Sequence, residues 1–208
     1  MAVRDTPALR ARVAAELASA DPRRRWAAAY ALSQVEAAPM DAVPVLLEAM
    51  GAADGDLRWA SARLLTRAMA RAPEVARAIE GLVQSPSPLA RKMALYCLRD
   101  AGEPTTARGG IVAALADADA AVRMAAMAAA AVLLPPDGPV ADRIAALVDD
   151  DPDAGVRRAA AATLGRLAVR TAPVVAVLTR ASASDDVALA RAAGQALSRL
   201  DARAPARS

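Results

Sequence analysis

Histidine, phenylalanine and asparagine are absent from the 208 residues, lysine occurs once, as Lys92, and cysteine once, as Cys97. Without imidazole there is no histidine general base, no histidine-activated nucleophile and no histidine-ligated metal centre. A lone cysteine excludes an internal disulfide framework and suits a reducing compartment. Aromatic residues make up 2% of the chain although 56% is hydrophobic, so the core has to be built from small aliphatic side chains, alanine above all. Alanine is the strongest helix former and a weak strand former, which excludes a β-sandwich or barrel and calls for thin helices packed closely. Long apolar runs are missing too: the longest uncharged stretch, Met124 to Pro136, is too short to cross a bilayer and ends in two prolines. The opening residues Met1-Ala2-Val3-Arg4-Asp5 lack the apolar segment of a secretory leader. A cytoplasmic protein with no membrane partner is therefore expected.

Arginine carries nearly all the positive charge, a bias that high-GC genomes produce, so a bacterial source is expected. The formal net charge is +3, from 26 basic and 23 acidic side chains, which by itself is a weak argument for a polyanionic partner. The length suits a single well-buried domain, expected over residues 1–200, with residues 201–208 as a disordered tail.

What the sequence does contain is a repeat. Arg25, Arg58, Arg91, Arg123 and Arg157 are followed by Ala190 at the sixth place, with steps of 33, 33, 32, 34 and 33 residues. Seven residues after each mark stands an apolar residue: Leu32, Leu65, Leu98, Ala130, Leu164 and Leu197. Four residues before each mark stands a helix-capping type: Asp21, Asp54, Ser87, Asp119, Asp153 and Asp186. Three columns in one register exclude coincidence.

The columns describe a capped helix. Aspartate or serine at the N-cap accepts a hydrogen bond from an otherwise unpaired helix N–H. In Asp21-Pro22 and Ser87-Pro88 the proline then occupies the first helical position, where its missing donor costs nothing. Apolar residues at helical spacing follow, as in Val156, Ala160, Leu164 and Leu167. A second proline series, Pro7, Pro39, Pro73, Pro104, Pro139 and Pro173, starts another helix in each unit. These first helices are expected at residues 8–19, 41–50, 74–84, 108–116, 140–148 and 174–181. Six helix pairs result, with repeats at about residues 6–36, 37–70, 71–103, 104–136, 137–170 and 171–200.

Helical hairpins of this length occur in ankyrin, tetratricopeptide and HEAT arrays. The ankyrin T-P-L-H needs histidine, and the tetratricopeptide W-x-x-L-G-x-x-Y pattern is in none of the units. By contrast, Asp151-Pro152-Asp153-Ala154-Gly155-Val156-Arg157-Arg158-Ala159-Ala160-Ala161-Ala162-Thr163-Leu164 closely resembles the second-helix signature of short bacterial HEAT repeats of the phycobilisome-lyase-like kind. The resemblance covers about residues 6–200. It implies an all-α fold, an armadillo-like α-solenoid of about six HEAT-like helix pairs, with second helices lining a concave side. It also implies a structural ladder along the turn edge between adjacent units, in which Asp21, Asp54, Asp119 and Asp153 pair with Arg25, Arg58, Arg91, Arg123 and Arg157.

If second helices line the groove, its columns can be read from the register. One residue after each marker come Trp26, Trp59, Lys92, Met124, Arg158 and Arg191; four further come Tyr30, Arg63, Tyr96, Ala128, Ala162 and Gln195. All four aromatic residues fall in these two columns, within the first three repeats. Two neighbouring columns add Arg67, Arg99, Arg166 and Arg199, so that eight basic residues face Asp100 alone, a net of about +7. Aromatic and cationic side chains on one open face suit flat or anionic ligands.

No catalytic constellation emerges. Gly109-Gly110 has neither the strand nor the lysine that a phosphate-binding loop needs. The Asp149-Asp150-Asp151-Asp153 run lacks the central glycine and closing glutamate of a calcium loop. Cys97 sits at core spacing in a helix. The di-iron hydroxylases built on HEAT repeats need histidine, and a phycobilin-lyase role would need a tetrapyrrole and a second subunit, for which no residue here asks. The expected function is therefore a scaffold without enzymatic activity, metal or cofactor, which takes an acidic segment of a partner protein. Its contacts are expected at Trp26, Tyr30, Trp59, Arg63, Lys92, Tyr96, Arg99, Arg158 and Arg191. The alternative is nucleic-acid binding, on a resemblance to the HEAT-like glycosylases of alkylated DNA, in which Asp100 would be the groove carboxylate.

Overall fold

The computed structural model describes residues 7–36, 39–102 and 106–202. The backbone packs into two compact units, Met1–Ala101 and Gly102–Ser208, divided next to the boundary expected between the third and fourth repeats. The first unit holds α1 (Pro7–Leu17), α2 (Pro22–Val35), α3 (Val43–Ala49), α4 (Gly55–Met69), α5 (Pro73–Leu82) and α6 (Pro88–Ala101). The second holds α7 (Arg108–Ala114), α8 (Ala120–Leu133), α9 (Gly138–Asp150), α10 (Ala154–Leu167), α11 (Ala172–Ser182) and α12 (Val187–Ala202). Odd-numbered helices are the first members of each pair and even-numbered ones the second. Within the first unit α4 lies beside both α2 and α6, and within the second α10 lies beside both α8 and α12.

The caps follow from the sequence. Asp21, Asp54, Asp119 and Asp153 precede α2, α4, α8 and α10 and accept from backbone N–H groups of the first turn; Ser87 and Asp186 accept from Ala90 and Leu189 in the same way. Pro22 and Pro88 open α2 and α6. The expected helix over 41–50 instead begins with a 3-10 turn at Met40–Ala42, because Pro44 has no amide hydrogen to donate into an α-turn. At the other end, Asp201 and Ala202 belong to α12 rather than to a tail, and Arg170 donates to the Asp201 carboxylate at 2.6 Å. Pro104 and residues 203–208 lie outside the described residues.

The expected ladder takes another form. With the cap carboxylates turned to helix N–H groups, the marker arginines turn back on their own repeat. Nη1 of Arg25, Arg58, Arg91, Arg123 and Arg157 donates to the carbonyls six and five residues earlier, at 2.6–3.3 Å. Each guanidinium thus closes the turn between the two helices of a pair, satisfying carbonyls that the chain reversal leaves unpaired. Arg25 also pairs with Glu48 of the next repeat at the surface, and Arg123 grips the Asp151 carboxylate of the next repeat through Nε and Nη2, both at 2.7 Å. Arg123 is 7% exposed and Asp151 5%.

Burial pushes the Asp151 carboxyl up, but the Arg123 guanidinium, the Asp153 N–H and the charge of Arg157 outweigh it, and the group sits below the usual carboxylate range. Asp151 belongs to a column that the sequence also carries: Ser19, Ala52, Ser85, Asp117, Asp151 and Ser184, at the same 33, 33, 32, 34 and 33 steps. All but Ala52 accept the N–H of the cap residue two places on. Arg58 shows what the Arg123 site would be without its acid: its Nε is buried with no partner.

Small residues set the packing distance. α8 buries Ala125, Ala126, Ala129 and Ala130 together with Met127. Gly165 of α10 meets α12 so closely that a Cβ on it would stand 2.8 Å from the Ala196 Cα.

Candidate functional site

In the first unit the second helices α2, α4 and α6 form the walls of a cleft of about 360 Å³. α2 contributes Tyr30, α4 contributes Trp59, Arg63 and Arg67, and α6 contributes Tyr96 and Asp100. Each position follows from the 3.6-residue period: Trp59, Arg63 and Arg67 stand one turn apart on the face opposite buried Leu64, Leu65 and Ala68. The indole of Trp59 stacks on Tyr96 across the α4–α6 seam, with ring centroids 5.5 Å apart at 16°. The Arg99 guanidinium carbon lies 4.8 Å from the centroid of that tyrosine, and Arg99 pairs with Asp100 at 2.6 Å. Trp59 is 47% exposed and Tyr30 41%, so both rings present area to solvent while neighbours hold them. Among the described residues neither Arg63 nor Arg67 has a hydrogen-bond or ion-pair partner, and both are exposed. Unpaired guanidinium beside a rigid aromatic face is an arrangement for an anionic or π-bearing ligand.

Four of the expected contact residues, Tyr30, Trp59, Arg63 and Tyr96, come together here. Trp26 does not. Its ring stacks on Tyr30 at 5.2 Å, but Nε1 donates to Ser61 Oγ at 2.9 Å and the side chain borders a separate depression with Arg25 and Glu48. Ser61 is fully buried, so Trp26 is a packing residue that fixes α2 on α4. The Trp26 column was legible; its inward hydrogen bond was not, because Ser61 lies a repeat away. Lys92 is half-buried and lines neither cavity. Arg67, Thr66 and Gln34 also line the cleft; they stand in the two columns that neighbour the aromatic ones, which give Arg67 as a groove cation.

The second unit carries no aromatic residue. Its second-helix face shows Met124 and Val132 exposed on α8, then Arg158 and Arg166 on α10 and Arg191 and Arg199 on α12. Arg158 reaches the Asp186 carboxylate at 3.4 Å. The Leu189 N–H, helped by Ala188 N–H and Arg158, holds Asp186 below the usual carboxylate range against some burial. The expected net of about +7 already counts Asp100 and falls to about +6, since Asp186 sits against Arg158.

Cys97, which also lines the cleft, is a poor nucleophile. Burial pushes the Cys97 thiol up to about 11, and the residue is 1% exposed on α6. Native protein at neutral pH should therefore resist a maleimide for hours while urea-unfolded protein reacts within minutes, a contrast that mass spectrometry can follow. Stoichiometric labelling of folded protein within minutes would mean that α6 opens readily. Among the described residues no group of three or more histidine, cysteine or acidic side chains could hold a metal ion, and no helix is long and apolar enough to cross a membrane.

No family model and no curated protein matches the chain. Solved structures do. A designed armadillo repeat protein in complex with the peptide (KR)4 is 14% identical, with 91% of this chain and 98% of that one covered and a TM-score of 0.57. An engineered protein is 20% identical, covering 92% and 96%, at a TM-score of 0.55. The complex of CpcE and CpcF, the phycocyanin lyase of Nostoc, is 20% identical, covering 96% of this chain and 80% of that one, at a TM-score of 0.53. At these identities the likeness is one of fold: the chain is an all-α solenoid built from HEAT-like helix pairs, similar in fold to the designed armadillo repeat protein and to the phycocyanin-lyase complex.

Proposed function

We propose that the chain is a non-catalytic repeat scaffold that captures an acidic segment of a partner protein, with the cleft of α2, α4 and α6 as its anchor. The observation that carries this reading is the exposed Trp59–Tyr96 stack flanked by the unpaired cations Arg63 and Arg67. Desolvated aromatic residues beside arginine are the usual energetic centres of protein interfaces. A solved neighbour of the same fold is in complex with the basic peptide (KR)4; among the described residues the cleft here is lined by Arg63 and Arg67 against Asp100 alone, a balance that favours acidic chains. Lys92 and Arg99, on the same helix as Tyr96, would then extend the contact beyond the anchor, and Asp100, already held by Arg99, orients that guanidinium rather than acting on a substrate.

The test uses the full chain and a glutamate-rich peptide containing one aromatic residue, read by calorimetry. Trp59→Ala combined with Arg63→Gln and Arg67→Gln should weaken binding by about thirtyfold or more, the size of hot-spot losses, with the helical circular dichroism unchanged. Trp26 is left intact because its removal would strand Ser61. Unchanged peptide affinity would remove the cleft from the proposal. Steeper, salt-dependent binding of a single-stranded oligonucleotide than of the peptide would favour nucleic acid as the ligand.

A further inference from the structure

The close approach of α10 and α12 leaves a notch of about 340 Å³ lined by Gly165, Arg166, Arg199 and Ala202. Its chemistry differs from that of the cleft. Among the described residues no ring and no carboxylate borders it, and the charged groups are two guanidiniums. Each is held in its own way. Arg166 Nη2 donates to Thr163 Oγ1 at 2.9 Å, one turn back on α10, which fixes its direction and leaves its other N–H groups open. Arg199 lays its stem over the glycine, Cδ standing 3.6 Å from where a Gly165 Cβ would be. Among the described residues the Arg199 guanidinium has no hydrogen-bond or ion-pair partner.

Two like charges brought to one notch repel each other unless a counter-charge sits between them. Elsewhere in this unit acids meet that need: Asp151 faces Arg123, Asp186 faces Arg158, Asp201 faces Arg170 and Asp149 faces Arg180. The Gly165 notch lacks one. Planar guanidinium forks match the oxygens of a tetrahedral oxyanion better than any other side chain does. We infer that the notch between Arg166 and Arg199 binds a phosphoryl dianion, as inorganic phosphate or as a phosphomonoester. A charge of −2 matches the two guanidiniums, and both line the same notch. A nucleic-acid strand fits less well, since it would need a continuous row of free cations and Arg158, next along α10, is already engaged by Asp186. The inference does not depend on the aromatic cleft, which lies in the other unit.

The experiment follows the arginine Nε–H signals of the full chain by NMR during titration with inorganic phosphate, and separately with blocked phosphoserine. Signals that disappear in Arg166→Gln and Arg199→Gln identify the two residues. Both should shift saturably in the parent, and either substitution should weaken binding at least tenfold. Arg143→Gln, an exposed change elsewhere in the unit, should leave affinity within twofold. Preference for phosphoserine would assign a presented phosphomonoester, and equal affinities would assign the free ion; both support the site. Absence of saturable shifts up to tens of millimolar ligand overturns it. So does an equal loss in Arg143→Gln, which would mean that binding follows net charge, and so does tight oligonucleotide binding that survives the Arg166→Gln, Arg199→Gln double variant.

Discussion

Arg123→Ala is expected to lower the stability of the second unit by about 3–5 kcal/mol, the cost of leaving one member of a buried ion pair alone. The parent arginine makes two 2.7 Å bonds to the Asp151 carboxylate and closes the Asp117 and Ala118 carbonyls. The substitution leaves all of these acceptors without their donor, in a place where Asp151 is 5% exposed. Lysine is no rescue, because a single ammonium cannot serve a forked carboxylate and two carbonyls at once. Urea unfolding followed by circular dichroism reads the loss directly. Both tryptophans lie in the first unit, so indole fluorescence reports that unit and helical ellipticity reports both. The dichroic transition should move to lower urea, and a loss below about 1 kcal/mol would mean that water reaches the pair as it does at surface ion pairs. In a double-mutant cycle, Arg123→Met with Asp151→Leu should cost less than the two single changes added together.

The same pair fixes a pH dependence. The folded Asp151 carboxyl lies below its ordinary value of 3.8, so its contribution is complete above that value and is lost as the pH falls through the lower, folded one. The stability that this carboxyl lends the parent should accordingly stay level from neutral pH down to 3.8 and be lost only beneath it. In Arg123→Ala the burial that raises the carboxyl is no longer offset by the guanidinium, so the gap between parent and variant should begin to close at a higher pH than the parent's own loss. A gap that stayed level until that loss began would mean that water reaches the carboxylate.

Gly165→Val should cost about 1–3 kcal/mol or more, the range for forcing extra atoms into a packed interior. A Cβ at this position would stand 2.8 Å from the Ala196 Cα and 3.0 Å from its Cβ, and the nearer of the two is backbone, which cannot swing aside. Even Gly165→Ala should be destabilising, although alanine is by nature the better helix residue by about 1 kcal/mol. Ala196→Gly added to Gly165→Ala should restore only part of the loss, since it removes the methyl group of residue 196 and leaves its main chain in the way. Differential scanning calorimetry of the three variants checks the order, and a Gly165→Ala protein as stable as the parent would mean that α10 and α12 part at little cost.

Most of the fold was legible in the chain. Cap residues, opening prolines and the 3.6-residue apolar stripe act over a few neighbours, so Asp21-Pro22 or Asp153 with Val156 and Ala160 specify a capped helix wherever they stand. The columns repeat because each pair meets the same surroundings. Surface placement of Trp59, Tyr30, Arg63 and Arg67 followed from that register alone.

What the register could not supply were relations between residues of different repeats. The HEAT resemblance implies aspartate–arginine pairing, yet the marker guanidinium turns to the carbonyls of its own turn while the cap carboxylates take helix N–H groups. Trp26 and Trp59 occupy the same column, but only Trp26 meets a buried hydroxyl, so one indole is a structural peg and the other an open face. Arg166 and Arg199 stand in adjacent repeats at equivalent places, and it is the missing Cβ of Gly165 that lets their helices close until the two charges share a notch. Local sequence determined the helices and the faces they show, because helix signals are short-range. The spacing between helices, and with it which charges find partners and which stay open, was decided only when the pairs packed against one another.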